Sequence, residues 1–328
     1  MIATQNVWAL VLAGGEGKRL QALTTQPGGT PVPKQFCSLR GERSLIEEAI
    51  DRGAALVDTE RICAIVGAAH RRWWSRSAAL QRLPVDNLIV QPRGRGTAVG
   101  ILYAVLHIAA KDPDAAIVLL PSDHHVTDEG TLRESLVAAL QRIRKGTDGP
   151  VLLGLEPDRP DTELGYILPG ARDPLGGYRV RRFVEKPNAS AARSLLEDGG
   201  LWNLFIVVAT ARCLIDLLKS RLGDFVSQMR TVITRAQLPG SAATEWQGLE
   251  ELYERMPEVD FSRDVLEGQE ASLCVMRVRP CGWSDLGTPR RVGETLRRLP
   301  AQDYVAAVSR RSAFVNLAAQ HDRLQRQA

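Results

Sequence analysis

Near its start the chain reads VWALVLAGGEGKRL, from Val7 to Leu20. The first seven residues are apolar and include β-branched members, which is typical of a buried strand. Gly14, Gly15 and Gly17 follow, and residues without a Cβ let backbone N–H groups turn toward phosphate oxygens. The segment therefore predicts a strand that ends at a phosphate-binding loop.

Two familiar phosphate-binding patterns do not fit this loop. A dinucleotide fingerprint has a third glycine where this chain has Leu20, which weakens that interpretation. A Walker loop needs Ser or Thr after its lysine, whereas here Arg19 follows Lys18, and its first glycine is missing. Further along, the segment PKQF brings Lys34 close to the loop in sequence. Arg19 and Lys34 are therefore candidates for neutralising a triphosphate.

Strand-like and helix-like stretches alternate along the first half of the chain, which is typical of βαβ units around a mostly parallel sheet. We predict strands at Val7–Ala13, Ile62–Val66, Asn87–Val90, Ala116–Pro121 and Val151–Leu155. We predict helices at Ser44–Leu56, Arg71–Leu83, Thr97–Ala110 and Thr131–Arg144. The first helix opens with a Ser-x-x-Glu capping box. After Gly165 we predict a mixed sheet with strands at Tyr166–Pro169, Tyr178–Val184, Trp202–Val208 and Ser272–Val278.

The composition is that of an ordinary globular protein. Of 328 residues, 44% are apolar and 24% are charged, which argues against disorder and low complexity. The formal net charge is +4, and residues 290–328 hold eight Arg against three acidic residues. The rest of the chain is close to neutral, which disfavours a dedicated nucleic-acid binder.

Cysteine usage and hydropathy indicate a cellular compartment. The five Cys form no C-x-x-C pair, so the sequence suggests neither a zinc cluster nor a disulfide framework. No stretch approaches the roughly 18 apolar residues of a membrane span. We therefore expect a cytoplasmic protein without membrane contact, and leave open whether it forms a homodimer.

Several segments together resemble the nucleotide-sugar pyrophosphorylases, and specifically their mannose-1-phosphate guanylyltransferase branch. LAGGEGKRL followed by PKQF carries the resemblance first. Further matching segments follow in the family's order: QPRGRGTA at 91–98, LPSDH at 120–124, GYI at 165–167, FVEKP at 183–187, WN at 202–203 and GWSDLG at 282–287. The resemblance covers about residues 7–292. It implies the Rossmann-like α/β fold of nucleotide-diphospho-sugar transferases, with a mixed, mostly parallel sheet flanked by helices.

The resemblance also implies a division of the chain. We expect a nucleotidyltransferase domain over 1–289, with a nucleotide-binding half at about 1–155 and a sugar-binding half at about 156–289. The Arg-rich segment 290–328 has helical periodicity, and we expect it to form a helical tail.

Site residues follow from the resemblance, position by position. The nucleotide would contact Leu12, Ala13, Gly14, Gly15, Gly17, Gln91, Gly96, Thr97 and Asp123. The sugar phosphate would contact Gly165, Tyr166, Glu185, Lys186 and Asn203. The catalytic cations would be Arg19, Lys34 and Lys186, and the metal ligands Asp123 and Asp285.

The metal prediction agrees with simple chemistry. Asp123 follows the predicted strand Ala116–Pro121, so its carboxylate should project from the strand's carboxyl end. Mg²⁺ takes one or two carboxylates together with substrate phosphate oxygens. For either Asp alone, a turn or capping role would be the more ordinary interpretation.

The expected reaction joins GTP and α-D-mannose 1-phosphate to give GDP-mannose and diphosphate, by in-line attack on the α-phosphorus. Some positions depart from the family pattern. Leu204 and Phe205 stand where the mannose enzymes typically show Ser and Gly, Gly96 where Asn is common, and Gln91 where Glu is common. Other sugar 1-phosphates or triphosphates therefore remain alternatives, as do a catalytically silent regulatory homologue and RNA binding through the tail.

Two adjacent pairs receive structural interpretations. His124 and His125 should point in opposite directions on an extended chain, so a shared metal is not expected. Trp73 and Trp74 are expected to be partly buried on a helix face rather than stacked on nucleic-acid bases.

Overall fold

Nine strands form one mixed sheet in the computed structural model, which describes residues 6–15, 24, 31–146, 149–236 and 242–299. The strands are β1 (Val7–Ala13), β2 (Ile62–Gly67), β3 (Leu88–Gln91), β4 (Ala116–Pro121), β5 (Val151–Leu155), β6 (Tyr166–Arg172), β7 (Tyr178–Val184), β8 (Leu201–Thr210) and β9 (Cys274–Val278). Their spatial order is β3-β2-β1-β4-β8-β5-β9-β7-β6, and β8 also pairs with β6.

Helices cover both faces of this sheet. They are α1 (Leu45–Ala54), α2 (Arg71–Trp74), α3 (Ala78–Gln81), α4 (Gly96–Lys111), α5 (Glu129–Arg144), α6 (Ala189–Glu197), α7 (Ala211–Leu222), α8 (Phe225–Ala236), α9 (Ala242–Arg255) and α10 (Pro289–Arg298). One core cluster joins β1 side chains such as Leu10 to α4, α7, α8 and α9. Side chains of the opposite parity, such as Ala9, join α1, α3, α5 and α6. Successive residues of a strand point to opposite faces, and helices cover both faces here. Every position of β1 is therefore apolar.

Strand direction brings distant residues to one edge of the sheet. β1 pairs in parallel with β2 and β4, so these strands end at the same edge. β8 runs antiparallel to β4, and therefore begins at that edge. Gly14 after β1, Asp123 after β4 and Asn203 near the start of β8 consequently meet there, where open α/β sheets bind their ligands.

The second half of the chain contributes mainly antiparallel pairing. β6 and β7 form a hairpin, β7 also pairs antiparallel with β9, and β9 pairs in parallel with β5. β8 pairs with β5 along one edge and with β6 along the other. The pairings therefore form a closed ring of five strands, β5, β9, β7, β6 and β8. Between the pairs Leu152–Val207 and Gly154–Asn203 the register shifts, because β8 carries extra residues there as a β-bulge.

The first helix of the predicted tail packs against the domain. Val292 and Leu296 of α10 join a small apolar cluster with Leu39, Leu45 and Leu286. Residues from 300 onward lie outside the described residues, so the expected division at residue 289 stays a prediction.

The α/β fold with a mixed sheet and flanking helices is confirmed. The capping box at Ser44 is present, since the Ser44 N–H donates to the Glu47 carboxylate at 2.9 Å. The single helix predicted over Arg71–Leu83 is wrong. The chain instead forms α2 and α3 around Ser75 and Ser77, and serine favours helix ends over helix interiors.

The two tryptophans near this break are partly buried, as expected. The indole N–H of Trp74 donates to the Gly67 carbonyl at 3.0 Å, and Trp73 packs beside the cluster that holds α10. Among the described helices, none combines the length and apolarity needed to cross a bilayer.

Candidate active site

A cleft of about 620 Å³ opens at the edge where β1, β3 and β4 end and β8 begins. Most of the predicted site residues line it: Leu12, Gly14, Gly15, Lys34, Gln91, Gly96, Thr97, Asp123, Gly165, Glu185, Lys186, Asn203 and Asp285. Residues predicted for the nucleotide, the metal and the sugar phosphate therefore share one cavity.

The glycine loop is held from behind by a buried amide. The side-chain N–H₂ of Gln35 donates to the carbonyls of Ala13 and Gly15, at 2.9 and 3.0 Å. The Ser122 hydroxyl, just after β4, donates to the Leu12 carbonyl at 2.6 Å. These contacts fix the start of the loop at the cleft. Gly17, which the sequence also assigned to the nucleotide, lies outside the described residues.

Lys34 connects the two predicted metal ligands. Its ammonium group donates to the Asp123 carboxylate at 2.9 Å and to the main-chain carbonyl of Asp285. The side chain is only 7% exposed, so protein groups rather than water solvate the ammonium charge. Lys34 thus joins the end of β4 to the loop that follows β9. The other predicted phosphate cation of this region, Arg19, lies outside the described residues.

Both aspartates are held in their charged form. Burial acts to raise the pKa of Asp123, but the charge and hydrogen bond of Lys34 together with the neighbouring His124 outweigh it, and the pKa falls below its ordinary value. For Asp285 burial also opposes ionisation, and the charges of Arg291 and Lys34 lower the pKa overall. Two ionised carboxylates therefore border the cleft at neutral pH.

Arg291 fixes the orientation of the Asp285 carboxylate. Its guanidinium group donates to Asp285 Oδ1 and, at 2.6 and 3.2 Å, to the two oxygens of Asp161. The Gly287 N–H donates to the same Oδ1 at 3.1 Å. Arg291 is 8% exposed and belongs to α10, so this helix contributes directly to the site.

His124 adds a neutral side chain beside Asp123. The indole N–H of Trp283 donates to its Nδ1 at 3.3 Å, and the two rings meet edge to face. Burial lowers the pKa of His124 to about 4, so the imidazole is uncharged at neutral pH. His125 is fully buried and contacts Glu48 at 3.4 Å instead, which agrees with the expected opposite directions.

The cleft lining also contains residues predicted for the sugar phosphate. The Asn203 N–H donates to the Gly165 carbonyl at 2.8 Å, and Lys186 Nζ lies 3.6 Å from Glu185 Oε1. Burial raises the pKa of Glu185 to about 7, against the opposing effect of Lys186. Near neutral pH the protonated and ionised forms of this carboxyl group therefore coexist. The protonated form donates a hydrogen bond, and the ionised form only accepts.

In another part of the cleft lining, the start of α4 contacts the segment that follows α9. Gly96 has φ of +79°, and a Cβ there would overlap the backbone of Val259. Ala98 N–H donates to the Val259 carbonyl at 3.0 Å, and Thr97 Oγ1 accepts from Phe261 N–H at 2.7 Å. Only glycine fits this crowded, positive-φ position.

Gln91 lines the cleft but is largely covered by the glycine turn. It is 4% exposed, and its amide lies below Gly14, 3.5 Å from that residue's carbonyl. A Cβ on Gly14 would overlap this amide, so the glycine permits the contact.

Two predicted site residues do not reach the cleft. Tyr166 is fully buried in the core, and its hydroxyl accepts from the Asp161 N–H at 2.8 Å. It is corrected from a sugar contact to a support for the segment that holds Arg291. Ala13 is 1% exposed, and its carbonyl serves the glycine loop through Gln35.

Some residues that line the cleft or support its aspartates were not identified from the sequence. Gln35 lies within the quoted PKQF segment and Arg291 soon after GWSDLG, but neither has a distinctive spacing of its own. Three further lining residues, Glu258, Asp260 and Ser262, lie beyond every quoted motif. Proximity in the fold, rather than a sequence pattern, brings them to the site.

A mixed α/β sheet that places a glycine turn and paired carboxylates at one edge is an arrangement suited to a phosphorylated ligand. The sequence profile of the family described as Nucleotidyl transferase matches residues 8–300. The chain therefore belongs to the nucleotidyl transferase family.

Two curated relatives resemble the chain over most of its length. Alginate biosynthesis protein AlgA of Pseudomonas aeruginosa is 29% identical over 287 residues, covering 85% of this chain and 56% of that protein. Mannose-1-phosphate guanylyltransferase ManC of Salmonella typhimurium is 29% identical over 290 residues, covering 86% and 58%. The chain thus spans a little over half the length of these relatives.

Solved structures agree on the architecture. A protein described as mannose-1-phosphate geranyltransferase from Thermus thermophilus matches with a TM-score of 0.72 at 28% identity, covering 90% of this chain and 80% of that one. A UDP-glucose pyrophosphorylase complexed with UDP-glucose matches with a TM-score of 0.55 at 15% identity, covering 88% and 95%, which supports the fold alone.

We predict that Arg291→Met destabilises the protein strongly. The substitution leaves Asp161 and Asp285 without their shared cation in a largely buried place, which should cost about 3 kcal/mol of unfolding free energy. Urea unfolding followed by circular dichroism measures the change. The neighbouring Arg290→Met is the matched control, because Arg290 is 60% exposed and its pair with Glu294 should contribute below about 1 kcal/mol. Equal losses in the two variants would contradict the role of Arg291.

We predict that Glu185→Gln changes the pH dependence of stability. The folded pKa of about 7 exceeds the ordinary 4.5, so between these values the folded chain binds more protons than the unfolded chain. Stability is therefore lost as pH rises through 7, by up to about 3 kcal/mol. The amide mimics the protonated acid, so the variant should exceed the wild type at pH 8 and match it near pH 4.

Urea unfolding at both pH values tests this expectation. The control Glu197→Gln alters an exposed side chain of α6 and should change stability equally little at each pH. If the unfolding free energies of the wild type and the Glu185→Gln variant differed by the same amount at both pH values, the raised pKa of the buried Glu185 would be contradicted.

Proposed function

We propose that this chain joins α-D-mannose 1-phosphate to GTP, giving GDP-mannose and diphosphate. The observation that carries the proposal is the single cleft bordered by the glycine turn, by Lys34 with its two aspartates, and by Glu185 with Lys186. A triphosphate and a sugar phosphate require cations, carboxylates and close backbone approach within one cavity. The names of relatives such as ManC support this choice of substrates.

In the proposed reaction, an oxygen of the sugar phosphate attacks the α-phosphorus of the triphosphate. The bond from this phosphorus to the bridging oxygen breaks, and diphosphate leaves. The chain's task is to position the two anions and to reduce their repulsion. We assign this task to Lys34 and Arg19 at the triphosphate and to Lys186 at the sugar phosphate.

The acidic residues of the cleft fit Mg²⁺. Asp123 and Asp285 offer hard oxygen donors that are ionised at neutral pH. No group of three or more His, Cys, Asp or Glu side chains suited to a metal occurs among the described residues. A site with two carboxylates suits Mg²⁺, which completes its coordination with phosphate oxygens and water. When bound, the ion would supply positive charge against the triphosphate.

At the sugar end, hydrogen bonding would select the substrate's hydroxyl groups. Glu185 is 11% exposed and Asn203 is 6% exposed, so a hydroxyl that reaches them leaves most of its water. Buried polar groups discriminate strongly between ligands that satisfy them and ligands that do not. We therefore assign sugar recognition to this pair and to the backbone at Gly165.

Two alternatives change the substrates or the role of the protein. The same chemistry with another pair, for example glucose 1-phosphate with a different triphosphate, is favoured by Phe205 at the sugar end and by the burial of Gln91. A silent homologue that only binds nucleotide sugars would not need Lys34 buried between Asp123 and Asp285. A cytoplasmic location is part of the proposal, supported by five free thiols.

A diphosphate-release assay with Mg²⁺ tests the function across GTP, ATP, UTP and dTTP, each with mannose 1-phosphate and glucose 1-phosphate. We predict the highest kcat/KM for GTP with mannose 1-phosphate. Asp123→Asn should lower kcat by a factor on the order of 10² to 10³, as expected for a lost electrostatic contact to the reacting group.

Asp114→Asn provides the matched control. Asp114 is exposed and lies just before β4, at the end remote from the cleft, so this variant should keep wild-type turnover. Folded wild-type protein that releases no diphosphate with any pair would refute the proposed function. Full turnover by Asp123→Asn would remove that residue from the reaction.

A further inference from the structure

Phe205 adopts a backbone conformation that is unusual for its residue type. Its φ is +56°, in the left-handed region that disfavours residues with a Cβ. The residue lies in the β8 bulge, between positions that pair regularly with β5. Leu204 and Ile206 on either side are buried in the core cluster on the other face of the sheet. Residue 205 therefore faces the side of the sheet opposite to theirs, where its side chain packs against the core cluster of that side and lines the cleft.

One main-chain contact and one ring contact hold Phe205 in this position. The Phe205 N–H donates to Asn203 Oδ1 at 3.1 Å. The ring meets Phe261 edge to face, with centroids 6.2 Å apart and an interplanar angle of 77°. Phe261 is itself anchored, because its N–H donates to Thr97 Oγ1. The ring is partly buried and lines the cleft, so a rigid aromatic surface stands among polar groups.

An aromatic wall at this place discriminates by chemistry rather than by size alone. The cleft residues Glu185, Lys186 and Asn203 carry hydrogen-bonding groups of the kind that pair with hydroxyls and phosphates, whereas the ring of Phe205 offers no conventional acceptor or donor. A C–H face of a sugar packs favourably on such a ring. A hydroxyl directed into it loses its water without gaining a partner.

We propose that Phe205 is the residue that distinguishes between epimers of the sugar 1-phosphate. The accepted epimer presents a C–H edge to the ring, and the rejected epimer directs a hydroxyl into it. This inference rests on the proposed function for the identity of the ligand class. Unfavourable backbone geometry clusters at functional sites, and a phenyl ring at a positive φ beside the cleft agrees with such a role.

The test measures binding of three epimeric ligands by isothermal titration calorimetry: mannose 1-phosphate, glucose 1-phosphate and galactose 1-phosphate. The wild type should separate the best and worst of the three by at least about tenfold in Kd, the magnitude expected for one buried hydroxyl without a partner. Phe205→Gly should reduce this ratio to below about threefold, mainly by improving the rejected epimers.

Phe205→Leu is the companion variant, because leucine keeps an apolar wall and should keep most of the discrimination. GTP binding by each variant reports whether the nucleotide end remains intact, and thermal unfolding reports folding. An epimer ratio that stays at the wild-type value in Phe205→Gly, or a wild type that binds all three ligands equally, overturns the proposal.

Turnover separates this inference from the proposed function. If no triphosphate is consumed but the epimer ratio depends on residue 205, the function fails while the inference stands. If turnover proceeds and the ratio is insensitive to residue 205, the inference fails while the function stands. A folded wild type that binds none of the three sugar 1-phosphates refutes both.

Discussion

Lys34 lies almost fully buried between two segments that are far apart in the chain, where its ammonium donates to the Asp123 carboxylate and the Asp285 carbonyl. An ammonium in such a place is stable only with partners of this kind. The contact therefore constrains the end of β4 and the loop after β9 to stay together. The charge of Lys34 also lowers the pKa of both aspartates, so the contact that closes the site helps to keep it ionised.

Around this contact, the cleft is built from residues whose backbone is unfavourable elsewhere. Lys186, Phe205 and Leu286 all have positive φ without being glycine, and each lies at or beside the cleft. Such conformations persist only where the surrounding structure holds them. Here that support comes from β8, which runs antiparallel to β4, and from α10, which packs against Leu286. The site therefore depends on most of the sheet.

The sequence predicted the bounds of β1, β4, β5 and β7. Each is a short run of apolar residues or of residues that favour strands, and each ends at a glycine, a proline or a polar turn. Most of the site residues that it predicted, through the motifs that carry the family resemblance, line the cleft. It did not predict the break near Ser75, the β8 bulge or the role of Arg291. The break follows from the preference of serine for helix ends, which the period of the apolar residues does not show. The bulge and the role of Arg291 depend on tertiary contacts, such as the pair of Arg291 with Asp161 across 130 positions, which leave no periodic pattern.

The central claim is that Asp123 and Asp285 meet at one divalent cation beside Lys34. The most direct measurement is a crystal structure of the protein with Mn²⁺ and GDP-mannose, in which anomalous scattering locates the ion. The account predicts an anomalous peak at coordination distance, about 2.1 Å, from a carboxylate oxygen of each aspartate. An ion bound to the diphosphate alone, with neither aspartate in contact, would contradict it.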